Sequence, residues 1–383
     1  MTDSADHTRC EILIIGGGIA GLSLAAHLAA ALREGDGSGD GTPDADPRVV
    51  LVEAEPTLGY HTSSRSARQL IPSYGPPVVQ ELTLRTLALI RAAEAGLPQP
   101  ILTPRSFLLI GDEESVRDRA SSHMHPVTQA QALGLAPELR PEAFTAAGLD
   151  TTSVACDTDA LLDYHRHRFL AAGGRISTGQ RVTAAKRVQE GRTELWQAET
   201  DRARFRARVV VNAAGAWADG LAGVFGARPL NLTPYRRTAA VVEVGTPLAE
   251  GAPMVADAAD RFYYRPEGSR VLISPSESEA SPAEDAKPRE SDVQALVELV
   301  NSLTTMDIRS VVRAWTGLRT EAPDGVPVVG WDPALPGFFW LAGQGGYGFQ
   351  TSSGIAELGT AILLGKKAEN SALEALSPAR KTL

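Results

Sequence analysis

Hydrophobic residues in this chain come in short continuous blocks near its start. Residues 11–15 (EILII) and 48–53 (RVVLVE) are apolar runs of the kind found in strands buried on both faces of a parallel sheet. Between them residues 22–32 are rich in Ala and Leu and predict a helix, so the segment reads as a strand–helix–strand unit. Residues 33–47 (REGDGSGDGTPDADP) interrupt that unit. Dense in Gly, Asp and Pro, they have no apolar surface to bury and predict a mobile surface loop.

Further along, residues 77–95 set Val79, Leu82, Leu87 and Ile90 on one helical face, and 107–111 read as a strand. Residues 157–172 predict a helix with Asp157 or Thr158 as its N-cap. Residues 204–214 (RFRARVVVNAA) form a strand ending in small residues. Residues 338–342 form another, followed at once by glycines at 343–348 and a helix to about 364. Residues 275–290 (PSESEASPAEDAKPRE) read as an acidic, Pro-rich solvated excursion, and no internal repeat appears.

Composition narrows the function classes. The 383 residues suggest more than one domain, and a formal charge of −9 argues against a nucleic-acid partner, which needs a basic face. The alternating Arg202, Arg204, Arg206 and Arg208 read as the solvated side of a strand. Two cysteines fit a reducing, cytoplasmic setting better than a disulfide scaffold. The apolar run 13–32 contains Gly16, Gly17, Gly18, Gly21, Ser23 and His27, so it predicts no transmembrane segment. His123/His125 and His165/His167 lack companion ligands at metal spacing, so no metal site is expected, and no G-x-S-x-G nucleophile elbow appears.

The chemistry begins at IIGGGIAG (14–21). Gly16, Gly18 and Gly21 give G-x-G-x-x-G between a strand and a helix opened by Ile19 and Ala20. There the backbone can approach a pyrophosphate and the helix N-terminus supplies donors. Glu53 ends the next strand, followed by Ala54, where an acidic residue grips ribose hydroxyls. Its distance from Gly21 is 53 − 21 = 32 residues, longer than the usual spacing of about 20, with the 33–47 loop as the excess. Residues 59–75 (GYHTSSRSARQLIPSYG) gather His61, Ser63, Ser64, Arg65 and Ser66, a second polar stretch suited to phosphate. A flavin dinucleotide lying extended across the domain needs one, whereas a nicotinamide cofactor has no general use for it. A second glycine-led helix, at 345–348, would stabilise a ring that becomes anionic on reduction. The chain is therefore α/β. A discontinuous Rossmann-like FAD-binding domain is expected over 1–80, 150–220 and 310–383. An inserted α+β substrate domain on a largely antiparallel sheet is expected over 81–149 and 221–309.

GGGIAG, GYHTSSRSA, DTDAL, NAAGAWAD, PYRRTA, WTGLR, GFFW and QGGYGFQTS together resemble the D-amino-acid-oxidase-type FAD oxidoreductases, a family that includes glycine and sarcosine oxidases and D-amino-acid dehydrogenases. D-arginine dehydrogenase shares most of these segments. The resemblance implies FAD, an amino-acid substrate, and hydride transfer from Cα–H to flavin N5, giving an imine that hydrolyses to a 2-oxo acid. It implies that Arg319 and Arg236 hold the substrate carboxylate, with Tyr74 and Tyr263 as phenolic partners and Gly346 and Gln350 at the amine and flavin edge. Val182 is implied at the adenine, and Ala213, Ala214, Gly215, Trp217, Gly317, Gly345, Tyr347, Gly348 and Thr351 elsewhere along the cofactor.

Two departures bear on the substrate. Where the arginine-selective pattern has Glu after L-x-P-R, this chain has Phe107, and where it has His after RSA it has Gln69. The charged end of an arginine pocket is missing, so an apolar or aromatic side chain is expected, or an N-substituted amino acid. No Cys stands near Leu318–Arg319, so FAD is expected to be non-covalent. No Lys occurs in 269–275, where Val271 is the match to the oxygen-activating lysine of sarcosine-type oxidases, which favours a dehydrogenase. Oxygen and a quinone or other acceptor both stay open, as does the oligomeric state. So do two other readings: a FAD-dependent 2-hydroxy-acid dehydrogenase, and a flavin tailoring enzyme acting on a carrier- or protein-bound amine.

Overall fold

The computed structural model describes residues 7–35, 46–249, 251–366 and 372–383, so most of the predicted surface loop, residues 36–45, lies outside the described residues. The apolar runs form a parallel sheet in the order Phe338–Ala342, Arg204–Asn212, His7–Ile15, Val49–Val52, Arg175–Ser177. Three antiparallel strands extend it to eight. All four residues of Val49–Val52 are buried, as a strand covered on both faces requires. Helix Ile19–Gly35 is buried nearly all round because it lies between the sheet and the helices Thr158–Ala171 and Ser352–Leu363. Asp157 caps Thr158–Ala171, accepting from the amides of Asp159 and Ala160.

A second, nine-stranded sheet carries the long pair Thr233–Val244 and Ile308–Glu321, which run antiparallel along nearly their whole length. Its pairings are antiparallel except for Met254–Asp257 against Phe107–Gly111. The expected domain limits do not follow the strands everywhere. Ile308–Glu321 pairs in the second sheet, whereas 310–321 was expected with the first. Helix Pro77–Glu94, mostly expected with the second sheet, packs on Ser352–Leu363 instead. The Thr86 hydroxyl accepts from the Gly354 amide there, and a Cβ on Gly354 would stand 2.8 Å from the Leu82 carbonyl oxygen.

Residues 275–290 are exposed at Ser278, Glu279, Ala280, Pro282, Glu284, Lys287, Arg289 and Glu290, as a solvated excursion would be, but the segment is also tied to the fold. Ser276 and Ala286 are buried, Asp285 pairs with Arg65, and Glu279–Ala280 pairs with Tyr235–Arg236. Acidic side chains in a Pro-rich segment suggest solvent only while their cationic partners, distant in sequence, go unseen. Among the described residues no helix is long and apolar enough to cross a membrane, and no His/Cys/Asp/Glu cluster is arranged to hold a metal. His165 is wholly buried and His167 exposed. Cys10 and Cys156 are free thiols.

Candidate active site

Three strands stop level with one another, with Ile15 opposite both Val52 and Asn212, and the glycine turn starts there. Gly16 has φ +116, and a Cβ on it would lie 2.2 Å from the Ala213 carbonyl oxygen. A Cβ on Gly21 would lie 2.0 Å from the Gly16 carbonyl oxygen, so helix and turn pack as closely as the backbone allows. Gly18 is different: the one atom its Cβ would approach is Ser63 Oγ, at 3.2 Å, and the rest is open space. Ser63 Oγ also accepts from the Ile19 amide at 3.0 Å, capping the helix from the 59–75 stretch. Glu53 Oε2 accepts from the Gly17 amide at 2.6 Å and Oε1 from the Glu55 amide at 2.9 Å, which fixes the carboxylate at the end of its strand.

These groups border a cavity of ≈280 Å³. Gly16, Gly18, Glu53, Ala54 and His61 line it, together with Ala213, Ala214, Gly215, Trp217 and Val182. His61 packs on Trp217 at 4.5 Å between ring centroids and meets Glu55 at 3.1 Å.

A larger cavity of ≈580 Å³ continues from the first, sharing Thr62 and Ser63 with it. Ile19, Gly317 and residues 345–350 form its floor. Arg319 and Arg237 enter from the long strand pair, Tyr74 and Tyr263 stand beside them, and Gln69, Phe107, Leu109, Met124 and Met254 also line the cavity. Phe107 is buried among Ile71, Leu109, Met254 and Tyr263. Gly346 packs directly on Arg319: a Cβ there would lie 3.0 Å from Arg319 Nη1. Among the described residues neither Arg319 nor Arg237 has a carboxylate within ion-pair distance, which is unusual for two neighbouring buried or half-buried guanidiniums. Burial pulls the pKa of Arg319 down, but Tyr74, Tyr263 and Glu321 more than offset it and leave it raised. Burial and the nearby Arg319 both push Arg237 down. Burial likewise raises the Tyr347 phenol, whose ring meets Tyr74 at 5.3 Å.

Several expected site residues stand elsewhere. Arg236, expected as half of the arginine pair, points to the opposite face of its strand from Arg237, where it donates to the Lys287 carbonyl at 2.6 Å and pairs with Glu284 at 3.6 Å. Alternation along a strand makes one of the two adjacent arginines a cavity residue and the other not, and the parity is invisible until the register is fixed. Arg65 lines the cavity, but its guanidinium is engaged by Asp285 and by the carbonyls of Thr316 and Ala286 rather than left for a phosphate. Ser64 donates to the carbonyls of Tyr60 and His61 and lines neither cavity, and Ser66 Oγ accepts from the Arg68 amide. Ala20 and Thr351 also line neither cavity; Thr351 Oγ1 donates to the Tyr347 carbonyl. Gln350 is buried with its amide fully used: it accepts from the Ile71 amide and donates to the Tyr74 carbonyl and Thr83 Oγ1. It holds the Tyr74 loop against the glycine turn. Gln69 donates to the Arg105 carbonyl and to Ser153 Oγ. Val271 is buried in the core of the second sheet, outside both cavities, and so says nothing about oxygen.

A glycine turn at one cavity and a pair of neighbouring arginines in the other are what a dinucleotide-binding fold with an adjoining anion-binding site presents. The chain belongs to the FAD-dependent oxidoreductase family, whose model matches residues 11–362. It is 27% identical over 389 residues to mitochondrial dimethylglycine dehydrogenase of Rattus norvegicus, covering 91% of this chain but 42% of that protein, so it spans less than half of that relative's length. It is 26% identical over 361 residues to glycine oxidase of Geobacillus kaustophilus, covering 88% of each. The crystal structure of glycine oxidase from Geobacillus kaustophilus superposes with a TM-score of 0.80 at 21% identity, over 97% of this chain and 99% of that one. The residues present fit FAD: those of the glycine turn and Glu53 would hold its adenosine and pyrophosphate half, and Thr62 and Ser63, which line both cavities, would lie along an extended ligand.

Proposed function

We propose that this chain oxidises an α-amino acid with an apolar or aromatic side chain, D-configured or N-substituted, at its Cα–N bond. The carrying observation is that Arg319 and Arg237, without a carboxylate within ion-pair distance among the described residues, line the same cavity as Phe107, Leu109, Met124 and Met254. Two guanidiniums bind and orient a substrate carboxylate, and the apolar wall takes the side chain. Tyr74 and Tyr263 add phenolic contacts that exclude water and fix the Cα above the turn at 345–348. Bound FAD supplies the two-electron acceptor at N5 for the Cα hydride, and the resulting imine hydrolyses in water. No acid–base group is required of the protein if the amine enters neutral, and no histidine lines the larger cavity among the described residues. That absence weighs against a 2-hydroxy-acid oxidation, which needs a base at the alcohol. The relatives act, by name, on glycine and dimethylglycine, which supports an amine donor.

The test is an anaerobic titration of the purified yellow protein with D-phenylalanine, D-methionine, D-leucine, D-arginine, sarcosine and dimethylglycine. Bleaching is expected to be fastest with apolar or N-substituted members. Preference for D-arginine would refute the side-chain reading, and bleaching by 2-hydroxy acids alone would refute the amine donor.

FAD is held non-covalently in this reading. Leu318 and Arg319 occupy the segment where a tethering Cys would stand, and the free thiols Cys10 and Cys156 line neither cavity. Acid precipitation should therefore leave the yellow colour in the supernatant, and colour retained in the pellet would contradict it. The same thiols suit a reducing, cytoplasmic setting.

A further inference from the structure

We propose that Ser278 is a positioning residue that keeps the Arg237 guanidinium turned into the larger cavity, acting from a strap, residues 276–289, that is pinned along its length. The inference rests on the amino-acid reading above.

Arg237 faces a problem that Arg319 does not. Around Arg319 two tyrosines and Glu321 outweigh burial, whereas around Arg237 burial and the like charge of Arg319 outweigh Tyr263, Tyr74 and Glu277. A long side chain in that position, with no ion-pair partner, would turn away from Arg319 towards solvent. Among the described residues its Nε is buried without a partner, and the one side-chain hydrogen bond to the guanidinium is Nη2 donating to Ser278 Oγ at 3.1 Å. That bond sets the side chain's direction.

A serine on an exposed segment can aim an arginine only if its own backbone is fixed, and here it is. Glu277 Oε1 accepts from the Thr238 amide at 2.5 Å. Glu279–Ala280 pairs with Tyr235–Arg236, and Arg289 grips Glu279 with both terminal nitrogens, at 2.6 and 2.7 Å. Further on, Asp285 meets Arg65, and the Lys287 carbonyl accepts from Arg236. The adjacent arginines thus divide the work: Arg236 pins the strap from one face of the strand, and the strap directs Arg237 on the other.

The experiment compares the wild type, Ser278→Ala and Ser278→Thr with the fastest amino acid of the panel and with its primary amide, which lacks the carboxylate. Ser278→Ala should raise KM for the acid by about 3–10-fold, the size of one lost charge-assisted hydrogen bond, with kcat within about two-fold. KM for the amide should not move, Ser278→Thr should restore the wild-type value, and FAD content and Tm should be unchanged. An unchanged KM for the acid in Ser278→Ala overturns the inference. So does an equal rise for acid and amide, which would mean a general loosening of the cavity. A wild type bleached by no member of the panel overturns the amino-acid reading itself, and the positioning role falls with it.

Discussion

Arg319→Met lowers kcat/KM for the amino-acid substrate by roughly 10²–10³-fold, ~3–4 kcal/mol of lost transition-state binding, with FAD content and Tm close to wild type. The side chain lies near Tyr74, Tyr263 and Gly346 and, among the described residues, carries no ion pair, so its removal strands no carboxylate partner there. Methionine fills much of the same volume and is apolar like the cavity wall, so the fold has little to repair. What disappears is a fixed charge that orients the carboxylate, and with it the Cα–H over the floor at 345–348. Arg237→Met should act in the same direction. The double variant should lose less than the two single losses combined, because both arginines serve one carboxylate. The reductive half-reaction, followed by rapid mixing, measures this directly. A kcat/KM within a few-fold of wild type would place the substrate carboxylate elsewhere.

What the sequence revealed and what it hid follow from the range of the interactions involved. The parallel sheet, its helices and the glycine turn are local patterns, and Gly16, Gly18, Gly21 and Glu53 stand where the strand ends predict. Phe107 and Gln69 also line the larger cavity. The misplaced residues are those whose direction depends on partners far along the chain. Arg236 and Arg237 are neighbours in sequence, and only the pairing of Tyr235 with Arg319 and of Arg237 with Gly317 fixes which face each one takes. Arg65 looked like a phosphate ligand until Asp285, 220 residues away, took its guanidinium. Ser63 rather than Ser64 caps the glycine-turn helix, a choice made by the short helical turn Thr62–Arg65, which no periodicity announces. Ser278 gave no signal, since a serine in an acidic, Pro-rich run reads as solvent-facing.

The glycine turn itself gives the other large effect, and two substitutions separate its two duties. Gly16→Ala meets a backbone conformation that an L side chain rarely adopts, with its Cβ 2.2 Å from the Ala213 carbonyl oxygen and 2.6 Å from the carbonyl carbon. Both obstacles are backbone just past the end of strand Arg204–Asn212, so the turn must move, at a cost of ~3 kcal/mol or more from backbone strain and overpacking together. The first turn of helix Ile19–Gly35 would move with it, and with that the donors aimed into the cavity. Gly16→Ala should therefore purify colourless, with a lowered Tm that added FAD does not restore. Gly18→Ala meets only the Ser63 hydroxyl at 3.2 Å and otherwise projects into open space bordering the first cavity. It should fold with the Tm of wild-type apoprotein yet bind FAD at least about tenfold more weakly, because a methyl group occupies the line of approach of the pyrophosphate. Visible absorbance and thermal melts with and without FAD separate the two outcomes. A Gly18→Ala protein that holds FAD as tightly as wild type would mean that the phosphates approach from the Glu53 side of the turn, past Gly17, rather than over Gly18.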